Sequence, residues 1–402
     1  MSAIVKLATQ EQLKTDLNLA KEIVRDWEKS GLLRGHLVDG KRTYSVQEVL
    51  EVDALLKGAG PAEVPRLKAP MCNPEVRCIE LFAGCGGLAL GLHNAGITAE
   101  LLVEIDPKAS DTLKRNSQDL NLGWTVLHQD VNTVDFTPYR GKITVVTGGF
   151  PCQAFSYAGQ GKGFGDPRGT LFFQQLRCIK ETDPLVVVGE NVRGLEEHDD
   201  GKTLKTMLHY LDEAGYEVEY RVMHCQYLDV PQKRPRLLIL GVKRGSGLKI
   251  QFPEQTGKVV PVSAALNGVP AGVGYTYSDW KYRVMDQVPP GGNWRDLPLN
   301  VQKSYMGKSF TSGGGKTGMA RRLSWHEPSL TLTCNPAQKQ TERCHPSETR
   351  PLNVREYARI QTFPDEWQFS GSISSQYKQI GNAVPVNFGY HIGMAVRKIL
   401  GV

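Results

Sequence analysis

Residues 76–87 read VRCIELFAGCGG and decide the fold. An apolar stretch ends at Leu81, a glycine-rich turn follows it, and a helical pattern then runs from Leu88 to Ala95. Strand, glycine turn and helix in this order let the backbone approach a nucleotide-like ligand closely. Glu104 ends the next apolar stretch, about 20 residues after the turn, where a carboxylate can accept hydrogen bonds from ribose hydroxyls. The stretch therefore predicts a nucleotide-like cofactor site but does not say which cofactor binds there.

Apolar stretches and helical patterns alternate from residue 76 to residue 243. The predicted strands are Val76–Phe82, Glu100–Glu104, Val126–Leu127, Ile143–Val146, Leu185–Val188, Glu217–Met223 and Leu237–Val242. Such alternation predicts an α/β fold with a mainly parallel sheet and helices on both faces. Open sheets of this class bind their ligands at the carboxyl ends of the strands.

Two candidate catalytic side chains follow predicted strands of this sheet. The tetrapeptide PCQA at 151–154 comes after a glycine turn, so Cys152 is expected at the ligand-binding edge. A thiolate is a good nucleophile, which makes Cys152 a candidate for covalent catalysis; a buried structural cysteine is the alternative. Glu190 follows the strand Leu185–Val188. A buried glutamate is costly unless it is paired or used, although a carboxylate that caps the next helix explains it equally well.

Six ordered motifs give the chain a resemblance to the DNA (cytosine-5)-methyltransferases. They are FAGCGG at 82–87, GFPCQAFS at 149–156, ENV at 190–192, QKRPR at 232–236, REYARIQ at 355–361 and QIGNAVP at 379–385. The resemblance covers about residues 76–400 and is to enzymes of the prokaryotic, restriction–modification type. It implies a Rossmann-like sheet that binds S-adenosylmethionine, together with a smaller target-recognition domain.

The resemblance assigns roles to four residues of the catalytic motifs. Cys152 corresponds to the family's nucleophile, which attacks C6 of cytosine and thereby activates C5. Glu190 corresponds to the residue that protonates or hydrogen-bonds N3, a role that requires a protonated or proton-sharing carboxyl. Arg236, together with Arg234, corresponds to the arginines that hold the cytosine O2. Phosphate contacts or surface ion pairs are the alternative for both arginines.

The same resemblance implies S-adenosylmethionine as the cofactor. The implied cofactor-binding residues are Phe82, Gly84, Gly86, Gly87, Glu104, Asp130, Pro151, Leu171, Asn382 and Val384. Phe82 corresponds to the residue that stacks on adenine, Glu104 to the one that accepts from the ribose, and Asp130 to the one that contacts the adenine amino group. Ordinary core packing is the alternative for Phe82.

Residues 245–350 occupy the place of the family's target-recognition domain. They hold 13 Lys and Arg against 7 Asp and Glu, an excess that equals the net charge of +6 on the whole chain. A basic segment rich in Gly, Ser and Thr suits phosphate contact, with a solvated flexible surface as the alternative. The candidate DNA-binding residues here are Arg321, Arg322, Thr331, Thr333, Lys339 and Arg343. A second set lies in the stretch that resembles the loop closing over a flipped-out base, namely Gln153, Ser156 and Arg168.

The remaining parts of the chain divide at composition changes. Residues 1–58 carry an apolar face at helical spacing, formed by Leu13, Leu17, Leu19, Ile23, Val24 and Trp27. They resemble the winged-helix modules of MerR-type transcription regulators, with protein contact or packing as the alternative to DNA binding. The predicted parts that follow are a linker (59–75), a catalytic domain (76–244), the target-recognition domain (245–350) and a C-terminal segment that returns to the catalytic domain (351–402).

The composition is ordinary for a soluble protein of 402 residues. No stretch approaches the roughly 18 apolar residues of a membrane span, and the first residues lack a signal-peptide core. The 8 cysteines are scattered, so no metal is expected, and free thiols favour a reducing cytoplasm. The expected partner is double-stranded DNA bound by a monomer, within a system that includes a restriction endonuclease not in direct contact. The alternatives are an RNA-directed methyltransferase and a methyltransferase that also regulates transcription through residues 1–58.

Overall fold

The computed structural model describes residues 7–17, 19–29, 33, 35–38, 40–46, 49–50, 64–68, 73, 75–150, 171–311 and 317–402. The strands in these ranges are β1 (Leu7–Thr9), β2 (Gly35–Val38), β3 (Lys41–Ser45), β4 (Arg77–Leu81), β5 (Thr98–Glu104), β6 (Thr125–His128), β7 (Val145–Gly148), β8 (Val186–Val192), β9 (Tyr216–His224), β10 (Gln232–Lys233), β11 (Pro235–Lys243) and β12 (Ser329–Leu330). The helices are α1 (Gln10–Leu17), α2 (Lys21–Lys29), α3 (Gly87–Asn94), α4 (Pro107–Asp119), α5 (Leu171–Thr182), α6 (Lys202–Glu213), α7 (Val262–Leu266), α8 (Asp279–Asp286), α9 (Leu299–Met306), α10 (Val354–Ile360), α11 (Ile373–Asn382) and α12 (Val386–Leu400).

A seven-stranded sheet with the order β6-β5-β4-β7-β8-β11-β9 forms the centre of the fold. Strands β4 to β8 pair in parallel, whereas β11 runs antiparallel to both of its neighbours, β8 and β9. A short connection from β9 to β11 permits this antiparallel pairing. The α/β fold with a mainly parallel sheet is therefore confirmed, and each of the seven predicted strands is present.

Apolar side chains cover both faces of the sheet and form two clusters. Cys78 and Val188 belong to the cluster that packs against α3 and α12, whereas Ile79 and Val187 belong to the one that packs against α5 and α6. Neighbouring residues thus point to opposite faces, as strand geometry requires. Helices cover both faces of the sheet, as the alternating pattern predicts.

Helices α3 and α12 pack closely because glycines line their contact. A Cβ on Gly91 would lie 2.4 Å from the Val386 carbonyl oxygen, and a Cβ on Gly393 would lie 2.5 Å from the Cβ of Ala95. Both distances are shorter than real Cβ atoms tolerate, so the two backbones approach closely only without side chains there. This contact returns the C-terminal segment to the sheet.

Residues 245–350 form short elements, some of which share a hydrophobic cluster of their own. That cluster contains Met285, Trp294 and Tyr305 and is separate from the two clusters on the sheet. Val262 and Leu266 of α7, in contrast, pack with the sheet cluster. The separate cluster thus begins later in the chain than residue 245, and the domain boundaries stay predictions.

The N-terminal elements form a three-stranded antiparallel sheet with the order β1-β3-β2. Their core contains Leu13, Val24, Trp27 and Tyr44. Ile23 of the predicted apolar face is 38% exposed, because Val24 and Trp27 set the inward side of α2. The winged-helix resemblance of residues 1–58 stays a prediction.

Residues 64–68, the described part of the predicted linker, contact the C-terminal part of the chain. Pro65 accepts a hydrogen bond from Asn387 Nδ2 at 3.1 Å, and Arg66 pairs with Glu366 at 3.2 Å.

Within the described ranges, no helix is long and apolar enough to cross a membrane. The same ranges contain no group of three or more His, Cys, Asp or Glu side chains suited to hold a metal ion.

Candidate active site

The strand ends that carry the predicted catalytic residues meet at one edge of the sheet. β7 and β8 are parallel neighbours, with Gly148 opposite Gly189, so Glu190 lies beside the turn that follows β7. Five of the candidate residues fall outside the described ranges, namely Pro151, Cys152, Gln153, Ser156 and Arg168.

Glu190 and Asn191 contact the backbone that leads into the PCQA tetrapeptide. Asn191 Nδ2 donates a hydrogen bond to the Phe150 carbonyl oxygen at 2.9 Å, and both groups are buried. A Cβ on Gly149 would lie 3.4 Å from Glu190 Oε2, so the glycine leaves room for this carboxyl. The sequence motif contains Asn191, but its positioning role becomes visible only in the structure.

Glu190 and Arg236 form an ion pair at the centre of the site. Arg236 Nε lies 3.0 Å from Glu190 Oε1, and each side chain is 11% exposed. Leu238 of β11 pairs opposite Glu190, so Arg236 lies diagonally across from it on the same face. The contact lacks hydrogen-bond geometry, and Oε1 has no hydrogen-bond partner in the described part of the chain. Burial raises the pKa of Glu190, although attraction to Arg236 opposes the rise, so the carboxyl keeps a proton more readily than a surface glutamate.

Arg234 does not share the position of Arg236. Its side chain is buried and donates to the carbonyl oxygens of Leu332 at 3.2 Å, Gly381 at 3.0 Å and Ala383 at 2.9 Å. Burial, followed by repulsion from Arg236, lowers the pKa of Arg234 to about 9. Both Nη atoms of the guanidinium thus donate to backbone carbonyls, and the expected contact with the cytosine O2 stays a prediction.

Arg234 belongs to a buried polar network that joins three of the sequence motifs. Gln232 accepts from the Leu332 amide at 2.8 Å and donates to Gln361 at 2.8 Å. Gln361 Nε2 donates in turn to the Ile380 carbonyl at 2.7 Å, and the Tyr357 hydroxyl donates to the Thr333 carbonyl at 2.9 Å. The network holds the backbone of 332–333 against the turn that follows α11. The sequence motifs contain these residues, but their structural roles are not evident from sequence alone. The signal that identifies such residues is a glutamine among apolar neighbours, because a buried polar group needs hydrogen-bond partners.

Glu104 lies beside the glycine turn that follows β4. Its Oε2 accepts from the Gly84 amide at 2.7 Å and its Oε1 accepts from the Asp106 amide at 2.7 Å. Each carboxylate oxygen has a second lone pair, so Glu104 can accept further hydrogen bonds from a ligand. A Cβ on Gly84 would meet nothing within 4 Å, which shows open space at the turn. The open space and the buried acceptor fit a ribose-containing cofactor.

The last motif closes the same turn from the other side. A Cβ on Gly87 would lie 2.0 Å from the Val384 carbonyl oxygen, so only glycine permits this approach. Asn382 Oδ1 accepts from the Cys334 thiol at 3.1 Å. The structure thus brings Val384 against Gly87 and a thiol of residues 245–350 beside Asn382, and the roles of these residues at the cofactor stay predictions.

Three other candidate cofactor residues lie at the ends of strands or helices. Phe82 is half-buried with a φ of +58°, an uncommon backbone conformation for a side chain of this size. Asp130 is exposed and caps the 3₁₀ turn Val131–Thr133 by accepting from the Asn132 amide at 2.9 Å. Leu171 begins α5 and packs partly buried against the sheet. None of these positions conflicts with the expected roles.

The geometry agrees with a comparison to known families, in which a model described as C-5 cytosine-specific DNA methylase matches residues 76–398. The chain belongs to this family. The methylase is 49% identical to the type II methyltransferase M.Eco47II of Escherichia coli over 96% of this chain and 94% of that protein. It is 53% identical to the type II methyltransferase M.PspPI of a Psychrobacter strain over 80% of this chain and 79% of that protein. A solved structure of Spodoptera frugiperda DNMT2 shares the fold, with a TM-score of 0.60 at 14% identity over 80% of this chain and 99% of that one.

These matches confirm the predicted family, enzyme class and fold of the methylase. It is a DNA (cytosine-5)-methyltransferase, and the family description specifies DNA rather than RNA as the substrate. Because the match with M.Eco47II covers 96% of this chain, it includes most of residues 1–58 as well as the catalytic part.

Two arginines of the methylase that were expected to contact DNA are buried. Arg322 is 4% exposed and donates to the carbonyl oxygens of Val288 at 2.7 Å and Met285 at 2.7 Å. Arg343 is also 4% exposed and donates to the Thr331 carbonyl at 2.6 Å, although its Nε has no partner in the described part of the chain. Their expected contacts with DNA stay predictions.

The other expected contacts of residues 245–350 are less buried. Thr331 Oγ1 donates to the Lys233 carbonyl at 2.7 Å, and Thr333 Oγ1 lies 2.9 Å from Thr341 Oγ1. Lys339 is exposed, and its ammonium lies 4.9 Å from the centre of the Tyr305 ring. All of these side chains lie on segments that adjoin the buried network around Arg234.

Proposed function

We propose that the enzyme methylates C5 of cytosine within a specific double-stranded DNA sequence, with Cys152 as the covalent nucleophile. The observation that carries the proposal is the Glu190–Arg236 pair, which lies beside the turn leading into the PCQA tetrapeptide. A base inside a stacked duplex cannot reach such a site, so the target cytosine is flipped out before it reacts.

Each residue of the pair has a role in the activation of the ring. The Cys152 thiolate attacks C6, and the electron pair displaced from the ring is accommodated at N3 and O2. Glu190, whose raised pKa favours the protonated form, donates a proton or a hydrogen bond to N3. The Arg236 guanidinium offsets the charge that develops at O2. After methyl transfer, loss of the C5 proton expels Cys152 and restores the aromatic ring.

The cofactor of this reaction is S-adenosylmethionine, which supplies an electrophilic methyl group when bound. We assign the ribose hydroxyls to Glu104, because each of its oxygens already accepts one amide and keeps a second lone pair. Phe82 and Asp130 hold the adenine, and Asn382 with the backbone of Val384 holds the methionine end. The glycines of the 82–87 turn keep the backbone close enough for these contacts.

Trapping with 5-fluorocytosine tests the covalent step. Duplex DNA with this base at the target should form a stable adduct, because C5 then carries no proton to lose. The Cys152→Ser variant should form no adduct while it still binds S-adenosylmethionine and DNA. A Cys152→Ser protein that still trapped the modified duplex would show that another residue is the nucleophile.

We further propose that the enzyme protects DNA as part of a type II restriction–modification system. Support comes from relatives named as type II methyltransferases at 49% and 53% identity. Such an enzyme acts as a monomer in the cytoplasm and needs no direct contact with a restriction endonuclease. Digestion of host DNA by candidate endonucleases, with and without the expressed gene, tests this role.

Sequence specificity is assigned to residues 245–350. Support comes from their separate hydrophobic cluster and from the contact between Cys334 and Asn382, a residue that we assign to the cofactor site. Replacing the segment with that of a relative that modifies another sequence should move methylation to the new sequence. A chimera that kept the original target would place recognition elsewhere.

A second proposed function concerns the N-terminal module, residues 1–58, as a DNA-binding regulatory element. Its small antiparallel sheet and two helices share a core that includes Trp27 and Tyr44. Deletion of residues 1–58 should leave methylation of short duplexes largely intact but reduce occupancy of a bound promoter. A truncated chain that folded yet could not methylate would make the module part of the catalytic machinery instead.

A further inference from the structure

Arg321 differs from the neighbouring buried arginines because its guanidinium makes no hydrogen bond within the described part of the chain. Its side chain is half-buried, and Nε is inaccessible to solvent without a partner. Arg234, Arg322 and Arg343, in contrast, all donate to backbone carbonyl oxygens. The Nε atoms of Arg234 and Arg343 also lack a partner, so the difference lies in the Nη donors. Those of Arg321 reach no acceptor in the described part of the chain, which leaves them for a group from outside it.

The acidic side chains that face Arg321 are already engaged. Glu327 and Asp296 attract it, but Glu327 accepts from Lys233 Nζ at 3.0 Å and Asp296 accepts from the Asn293 amide at 2.9 Å. Burial lowers the pKa of the Arg321 guanidinium, which shows that these acids do not fully compensate for the lost solvent. The planar guanidinium of Arg321 therefore keeps its N–H donors for a ligand.

The backbone that carries Arg321 is fixed on both sides. The Arg321 carbonyl accepts from the Cys344 amide at 3.0 Å, and the Leu323 amide donates to the Cys344 carbonyl at 3.0 Å. Because side chains alternate along an extended backbone, the inward position of Arg322 turns Arg321 to the opposite side. Ala320, directly before it, has a φ of +44°, a strained conformation of the kind found at functional sites.

Contacts link Arg321 indirectly to the stretch that precedes Arg236. The charge of Arg321 repels that of Arg343, whose guanidinium donates to the Thr331 carbonyl at 2.6 Å. Thr331 Oγ1 donates to the Lys233 carbonyl at 2.7 Å, and Lys233 precedes Arg236 by three residues.

We propose that Arg321 reads a guanine of the recognition sequence by donating two parallel hydrogen bonds to its N7 and O6 in the major groove. The proposal rests on the proposed methylation of a specific duplex sequence. A bidentate arginine–guanine contact is the commonest specific contact of its kind and needs the planar fork that Arg321 keeps free. Two phosphate oxygens offer a similar pair of acceptors, and the experiment separates the two sources.

The test replaces guanines one at a time with 7-deazaguanine, which lacks the N7 acceptor but still pairs with cytosine. Methylation-sensitive sequencing first gives the recognition sequence. At one guanine the substitution should lower kcat/KM of the wild-type enzyme by about 5- to 150-fold, the range for loss of a good bidentate contact. Arg321→Ala should show a similar loss on ordinary DNA and no further loss when that one guanine is replaced.

Arg321→Lys separates base reading from phosphate contact. Lysine keeps the charge but lacks the planar fork, so it should resemble Arg321→Ala if a guanine is read. If a phosphate is bound, Arg321→Lys should recover most activity, and Arg321→Ala should weaken all sequences alike with a smaller salt dependence. That outcome would overturn the proposal. Additive losses of kcat/KM from Arg321→Ala and from 7-deazaguanine at every guanine would also overturn it, and so would a recognition sequence without guanine.

Two controls keep the result interpretable. Lys303→Ala removes an exposed cation of the same segment and should behave like the wild type on every 7-deazaguanine duplex. Adduct formation with 5-fluorocytosine at saturating DNA should persist in Arg321→Ala, because the variant keeps the catalytic residues. Loss of adduct in the wild type would instead contradict the proposed function itself, so the two failures are distinguishable.

Discussion

Replacement of Arg234 by methionine should destabilise the protein rather than remove a catalytic group. The guanidinium satisfies the carbonyl oxygens of Leu332, Gly381 and Ala383, all of which are buried around it. A buried acceptor left without a donor costs about 1–3 kcal/mol. Gln361 Nε2 still donates to the Ala383 carbonyl at 3.1 Å, so two acceptors are left unpaired. The lower end of that range gives a loss of about 2 kcal/mol in the free energy of unfolding, because the apolar replacement also avoids the desolvation of a cation.

The loss is measurable against the stability expected of a domain. A change of about 2 kcal/mol in a protein that is stable by roughly 5–15 kcal/mol should lower Tm by on the order of 4 °C. Arg234→Lys should lie between the wild type and Arg234→Met, since one ammonium reaches fewer carbonyls. At a temperature well below the transition, the folded Arg234→Met enzyme should keep kcat within about tenfold of the wild type, because the guanidinium does not face the substrate.

Arg236→Met is the matched control for Arg234→Met, with the opposite expected pattern. Its side chain faces Glu190, which can remain protonated when the cation is removed, so the free energy of unfolding should change little. The rate should fall by on the order of 10²–10³, as for removal of a group that stabilises charge in the transition state. An Arg234→Met protein with wild-type stability and a kcat reduced more than a hundredfold would refute the structural role and restore Arg234 as a catalytic residue.

Three further predictions follow from buried groups of the site. Glu190→Gln should lower kcat by roughly 10²–10⁴-fold. The wild-type kcat should fall as pH rises through the raised pKa of Glu190, because a general acid must be protonated. A kcat that changed neither with the substitution nor with pH would exclude Glu190 as the general acid. Gly87→Ala should weaken binding of S-adenosylmethionine by calorimetry, since its Cβ would meet the Val384 carbonyl at 2.0 Å, whereas Gly194→Ala, which meets nothing within 4 Å, should not. Burial raises the pKa of Glu80 well above its ordinary value of 4.5. The protonated carboxyl therefore contributes fully to the free energy of unfolding below pH 4.5, and this contribution is lost as pH rises through the pKa of the folded state. Glu80→Gln should flatten the pH dependence of the free energy of unfolding in denaturant titrations, and an unchanged profile would argue against a protonated carboxyl.

The sequence predicts the sheet well because its strands are short, apolar and separated by clear turns. The main difference is at β8, which is predicted to end at Val188 but extends to Val192. Its polar end, Glu190 and Asn191, looks like the start of a loop in isolation. Pairing with β11 continues to Val192 and supplies the hydrogen bonds that keep this polar segment in the strand. A contact between distant parts of the chain decides the boundary, and local pattern does not contain it.

The two arginines of the QKRPR motif show the same limit inside the site. Arg234 and Arg236 are two residues apart, and in a continuous strand such residues point to one face. Arg234 instead falls between β10 and β11, so the alternation does not apply to it. Its direction is set by the carbonyl oxygen of Leu332 and by that of Gly381 at the end of α11. Sequence spacing alone therefore assigns both arginines to the substrate, and only the tertiary contacts separate them.

The charge of residues 245–350 has to be interpreted with the same care. The excess of six counts every Lys and Arg as if it were exposed. Arg322 and Arg343 are each 4% exposed and bound to carbonyl oxygens, and without them the excess falls to four. Lys281 and the buried Glu342 form an ion pair at 2.6 Å. Because their charges are opposite, leaving both out does not change the charge excess. Since each phosphate contact contributes about 0.9 to the salt slope of binding, counting all the basic residues overstates the salt dependence. An arginine suited to recognition is one whose guanidinium makes no hydrogen bond within the described part of the chain, and Arg321 meets that condition.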